Sequence, residues 1–207
     1  MIGGLLAGTV RLVAGGSVQW VEQLSDTRRY VYFANHSSHL DFLLLWSSLP
    51  PRTRVRTRPV AARDYWETGP ARRYLSTKVF KAVLVDRTGA RGGDDAGGGA
   101  REAIERMLAV LEADDSLILF PEGTRGTGER LAPFKSGLYH LCRRHAGLEA
   151  VPVHMENLNR ILPKGRHIPV PMISRITFGR PMRLEDGESR AAFLERAREA
   201  IEDLKEL

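Results

Sequence analysis

The chain has 207 residues, 43% apolar and 27% charged, which is enough for one domain with a real core and too ordinary a mixture for a fibrous or wholly disordered protein. One cysteine excludes an intrachain disulfide and a cysteine-based metal centre. The formal net charge of +6, mostly from arginine, favours a polyanionic partner such as an anionic membrane face, a phosphorylated substrate or nucleic acid, or simply keeps the surface soluble.

In chain order, residues 2–20 include Arg11, Ser17 and Gln19 and several glycines, too polar a run for a bilayer-crossing helix. They are expected to form an interfacial or docking helix anchored by Trp20, so that residues 1–29 precede a domain over 30–207. The apolar, β-prone run Tyr30-Val31-Tyr32-Phe33-Ala34 predicts a strand ending at a polar cluster. A helix follows over 41–46, opened by Ser38-His39-Leu40-Asp41, which has capping-box spacing. Arg52, Arg54, Arg56 and Arg58 alternate with a period of two, suiting either an anionic lipid surface or the charged face of an edge strand.

Residues 82–85 predict a second buried strand, and the glycine-rich stretch 89–99 a surface loop. Ile104, Met107, Leu108 and Leu111 recur at helical spacing over 101–113. A strand over 116–120 and a helix over 136–144 follow, with Cys142 as a small buried hydrophobe. Strands over 150–155 and 175–178 precede a last helix striped by Phe193, Ala197, Ile201 and Leu204. This alternation implies a single α/β domain with helices on both faces of the sheet, and ligands outside the strand ends.

The polar clusters after the strands are the candidate chemistry. In Asn35-His36-Ser37-Ser38-His39-Leu40-Asp41, a loop histidine precedes by five positions a carboxylate in the first helical turn. Such a pair fixes the imidazole tautomer and leaves the other ring nitrogen free to take a proton. Satisfied loop polars, a metal set of His36, His39 and Asp41, and a serine nucleophile at Ser37 or Ser38 stay open beside it. Neither serine, however, stands on a Gly-x-Ser-x-Gly turn. After the second strand, Arg87 precedes the flexible loop, where it can grip a phosphate or stand solvated. After the third, Phe120-Pro121-Glu122-Gly123-Thr124-Arg125 makes a turn projecting a carboxylate, a hydroxyl and a guanidinium, and Gly123 permits close approach.

With these clusters in hand, the chain resembles the lysophosphatidate / glycerol-phosphate acyltransferase family over roughly residues 30–181. The matching blocks are the His36–Asp41 spacing, Val83 to Arg87, Phe120 to Arg125, and Ala150-Val151-Pro152-Val153. The resemblance implies a mixed sheet of glycerolipid-acyltransferase type, His36 as general base and Asp41 as its orienting partner. It also implies that Arg63, Arg87, Glu122, Gly123, Thr124 and Arg125 bind the phosphate-bearing acceptor, and that Pro152 shapes the acyl or pantetheine side. Lys81 stands where the family's second block usually opens with glycine. The expected reaction moves a fatty acyl group from acyl-CoA or acyl-ACP, as co-substrate and with no cofactor, to a lysophosphatidate-like hydroxyl. The expected setting is the cytoplasmic face of a membrane, as a peripheral or monotopic protein on an anionic surface, with no nucleic-acid partner. The rival readings are a thioester or lipid-ester hydrolase, and a non-enzymatic binder of anionic membranes or nucleic acid.

Overall fold

The computed structural model describes residues 3–4, 7–10, 17–38, 41–86, 96–126, 130–156 and 174–207. Their strands are β1 (Ser17–Trp20), β2 (Tyr30–Ala34), β3 (Thr57–Ala62), β4 (Val83–Val85), β5 (Ser116–Leu119), β6 (Glu149–Glu156) and β7 (Arg175–Phe178). The helices are α1 (Asp41–Ser48), α2 (Pro51–Val55), α3 (Arg63–Trp66), α4 (Pro70–Tyr74, running into a π-turn at Leu75–Val79), α5 (Ala96–Glu112), α6 (Gly137–Arg144) and α7 (Arg190–Glu202). Among these residues the strands form one sheet in the order β1-β7-β6-β2-β5-β3-β4. The pairing is parallel except between β6 and β7, so the sheet is mixed, as the resemblance implied.

Side chains alternate across a strand, and β2 is buried along its whole length, so it must be apolar on both faces. Tyr30, Tyr32 and Ala34 join Ile118, Val151, Val153 and Phe178 under the α1 residues Leu44, Leu45 and Trp46. Val31 and Phe33 join Leu117 and Leu119 on the opposite face, under Ile104, Leu108, Leu138, Leu141 and Phe193. Helices therefore cover both faces, and the α7 stripe of Phe193, Ala197 and Ile201 is fully buried. Ser189 caps α7, its hydroxyl accepting the Ala192 N–H at 3.2 Å. Cys142 is buried, and that burial pushes its thiol up to about 12, which makes it inert packing.

Several expectations are corrected. Residues 17–20 are not helical: they pair with β7 at the sheet edge, and the partly buried Trp20 ring stacks on Phe178 with centroids 3.8 Å apart. A boundary at residue 29 therefore does not separate β1 from the sheet it belongs to. The arginine stretch is neither one exposed face nor an edge strand. Arg52 and Arg54 lie on α2, and Arg56, at its end, bonds Asp114; β3 is paired on both sides, and its Arg58 bonds Asp115. Of the glycine-rich stretch, residues 96–99 begin α5, and 87–95 lie outside the described residues. Among the described residues no helix is long and apolar enough to cross a membrane.

Candidate active site

The loop after β2 is fastened at each residue. The Asn35 side chain continues the sheet, donating to the Met155 carbonyl at 2.9 Å and accepting the Met155 N–H at 2.8 Å. The His36 N–H donates to Glu122 Oε1 at 2.8 Å, and the His36 carbonyl accepts the Gly126 N–H at 2.8 Å. Glu122 Oε2 accepts a second backbone donor, Ala132 N–H, at 2.9 Å. Glu122 is only 3% exposed. A buried carboxylate needs such donors, and here they tie the His36 loop to the turn after β5. The sequence reading placed Glu122 against substrate; the structure turns both its oxygens onto backbone and makes it a brace.

His36 Nδ1 lies 2.8 Å from Asp41 Oδ2. A carboxylate can only accept, so Nδ1 carries the proton and Nε2 presents its lone pair. The same Oδ2 accepts the Ser37 N–H at 2.6 Å and the Ser38 N–H at 2.8 Å, while Asp41 itself is 0% exposed. The Ser38 bond is the reach-back half of the capping box, so capping and orienting fall to one side chain. The imidazole also stacks on Phe120, with centroids 4.4 Å apart and planes at 23°. A ring held on its edge and its face has little freedom left. Neither serine's N–H is free, and His39 lies outside the described residues, within which no cluster of three metal-ligating side chains occurs.

His36 opens onto a groove of about 1000 Å³ at the carboxyl ends of β3, β4 and β5. Its apolar lining includes Val60, Ala62, Ile104, Met107, Leu119 and Leu138. Gly123, Thr124 and Arg125 also line it, joined by Lys135, a cation that the motifs did not flag. Gly123 has φ +67°, and a Cβ there would fall 2.7–2.8 Å from the end of the Lys135 side chain. That glycine thus admits both the turn and the lysine. Lys135 is fixed from behind by its N–H, which donates to the Pro121 carbonyl at 2.8 Å.

Two expected residues stand elsewhere. Arg63 is absent from the groove lining; its guanidinium is engaged by Asp86 and Glu67, each at 3.0 Å. Pro152 lies in mid-strand, its ring against Gly179, and does not line the groove either. Arg87 lies outside the described residues. Lys135 carried no signal of its own, being a single lysine in a loop ten residues beyond Arg125; only the packing against Gly123 makes it part of the site.

The same chain is similar to known proteins. The 1-acyl-sn-glycerol-3-phosphate acyltransferase of Limnanthes douglasii is 29% identical over 176 residues, covering 83% of this chain and 57% of that protein. The 1-acyl-sn-glycerol-3-phosphate acyltransferase alpha of Mus musculus is 30% identical over 141 residues, covering 68% of this chain and 45% of that protein. This chain thus spans about half the length of the curated relatives it matches. The crystal structure of the 1-acyl-sn-glycerophosphate (LPA) acyltransferase PlsC from Thermotoga maritima shares its fold, with a TM-score of 0.72 at 19% identity over 99% of this chain and 78% of that one. The family model described as Acyltransferase matches residues 17–156, from β1 to the end of β6 and so across both halves of the groove. By that match, which takes in well over half its length, the chain belongs to the acyltransferase family.

Proposed function

We propose that the chain transfers a fatty acyl group from a pantetheine thioester, acyl-CoA or acyl-ACP, to the free hydroxyl of a lysophosphatidate-like acceptor, yielding phosphatidate. The observation that carries this reading is the His36–Asp41 pair at the mouth of a groove that is apolar in one part and cationic in another. An ester-forming site on lipids needs both parts: an apolar trough for the chain and cations for the phosphate. The relatives' names add the acceptor class.

In this mechanism His36 Nε2 takes the hydroxyl proton as the hydroxyl oxygen attacks the thioester carbonyl. The new C–O bond forms, the C–S bond breaks, and the proton passes from the imidazolium to the departing thiolate. Asp41, desolvated and already aligned, stabilises the imidazolium during the attack. Arg125 and Lys135 hold the acceptor phosphate, and that grip positions the hydroxyl, the larger part of what such a site contributes to rate. Glu122 keeps the His36 backbone in place and makes no contact with substrate. Arg63 braces the groove wall through Asp86. The enzyme works at the cytoplasmic face of a membrane as a peripheral or monotopic protein.

The test is incubation of purified protein with acyl-CoA or acyl-ACP and a panel of lysophospholipids, with products identified by mass spectrometry. Phosphatidate formed in proportion to lysophosphatidate is the expected result. Free fatty acid released at the same rate with or without acceptor would make the chain a hydrolase. His36→Ala is expected to reduce turnover by at least about 1000-fold with the fold intact by circular dichroism. Activity within about tenfold of wild type would remove His36 from the role of base.

A further inference from the structure

The acceptor site uses the cations on the β5 side of the groove, yet the groove has a second basic wall. On α6, Gly137, His140 and Arg144 recur three or four residues apart and so share the face that lines the groove, with Ser136 just before the helix. On α5 the matching face presents Arg101, Ile104 and Met107. The helices approach closely at Gly137, where a Cβ would lie 3.9 Å from Ile104 Cδ1. Two helical turns beyond Ser136, roughly 12 Å along the axis, Arg144 forms a bidentate pair with Glu105, at 2.6 and 2.9 Å. Arg101 stands one turn before Glu105 on α5, and the charges of both arginines act on that carboxyl. Glu112 acts on Arg144 through its field.

Glu105 uses two of the five N–H donors of Arg144 and holds the guanidinium plane, leaving the other donors available to a ligand in the groove. The pair is exposed, and of its two members Arg144 lines the groove onto which His36 opens. The proposed reaction adds a constraint. Donor and acceptor each carry phosphate, both must be bound when hydroxyl meets carbonyl, and two anionic groups in one cation cluster repel. Two separate sets of cations are required, and the groove has two. In a pantetheine carrier a long flexible arm separates sulfur from phosphate, which suits cations set well down a helix from the catalytic end.

We propose that Arg101 and Arg144, on the α5–α6 wall, bind the phosphate ester of the donor's pantetheine carrier; the assignment rests on the acyl-transfer reading above. Two measurements test it on the full chain. In the first, isothermal titration compares 4′-phosphopantetheine with pantetheine. The wild type is expected to bind the phosphorylated compound about tenfold or more tighter, and Arg101→Ala/Arg144→Ala to abolish that ratio. Arg143→Ala, which removes one positive charge from the same helix outside the groove, is expected to keep it. In the second, the double variant raises the donor KM about tenfold and leaves the lysophosphatidate KM unchanged. An effect confined to acyl-CoA assigns the free coenzyme as the source, and one shared with acyl-ACP assigns the carrier-bound arm. An unaltered ratio in the double variant, loss of the ratio in Arg143→Ala, or a rise in the acceptor KM in place of the donor KM would overturn the site. If the ratio behaves as expected and no donor supports transfer, the anion site stands and the acyl-transfer reading falls.

Discussion

At the scale of single residues, Glu122 shows how a motif position can be indispensable without meeting substrate. Its two oxygens hold the His36 and Ala132 N–H groups, so a change there displaces the imidazole as a whole. Glu122→Gln keeps one acceptor and turns an NH₂ toward the other donor. The expected outcome is a fall in kcat of at least about tenfold with the acceptor KM within about twofold, read from steady-state kinetics. A rise in KM alone would return Glu122 to the substrate. His154 carries a different prediction. Burial, with the Lys205 charge near it, pushes its imidazole down to about 4 from an ordinary 6.5. The unfolded chain therefore takes up a proton that the folded chain refuses as pH falls from about 6.5 to about 4, and folding loses roughly 3 kcal/mol across that window. Above it, His154 contributes no pH dependence. His154→Leu should flatten the acid limb of the urea-midpoint profile between pH 7 and pH 4.5, and an unchanged slope would place the titration elsewhere.

At the scale of elements, the backbone explains a departure from the family pattern. Lys81 sits where glycine is usual, and its φ is +48°, the left-handed conformation that glycine adopts freely and lysine does not. The turn into β4 therefore carries backbone strain at Lys81. Lys81→Gly is expected to raise stability by about 1 kcal/mol with kinetics unchanged, measured by urea unfolding. Gly123→Ala tests the converse case. Its added methyl meets the Lys135 side chain at a left-handed position, and the acceptor KM should rise at least about fivefold as that lysine is pushed aside. These elements also mark what could be read beforehand. β2 and β5 are buried on both faces, so their apolar runs announced them. β3 escaped because Thr57, Arg58 and Pro59 interrupt any apolar pattern, their places being decided by Ser116, Asp115 and the strands alongside. The His36–Asp41 pair lies within five residues and was legible from spacing. Lys135, Arg101 and Arg144 reach the groove only through packing between segments far apart in sequence, and spacing holds no trace of that.

At the scale of the whole molecule, the net charge of +6 suits the membrane setting proposed above, in which the chain would be held by charge and shallow apolar contact. α2 is suited to it, since Val55 is 64% exposed and the Arg52 side chain 89% exposed. Arg52→Glu should weaken sedimentation with vesicles containing anionic lipid by about fivefold at low salt, and the difference should shrink as salt is raised. Equal binding to neutral vesicles would count against a charge-led attachment.

The pairing of β1 with β7 has a consequence for how the protein comes into being. Ser17 finds its partner at Arg175, so the first strand made waits for nearly the last one before it has anything to hydrogen-bond. During synthesis the inner strands from β2 to β6 can assemble while β1 remains a loose thread beside an unclosed sheet. β1 is thus the strand sewn in last, and ribosome-bound intermediates stalled before residue 175 should be clipped by protease near Trp20 while the paired strands β2, β5 and β6 resist.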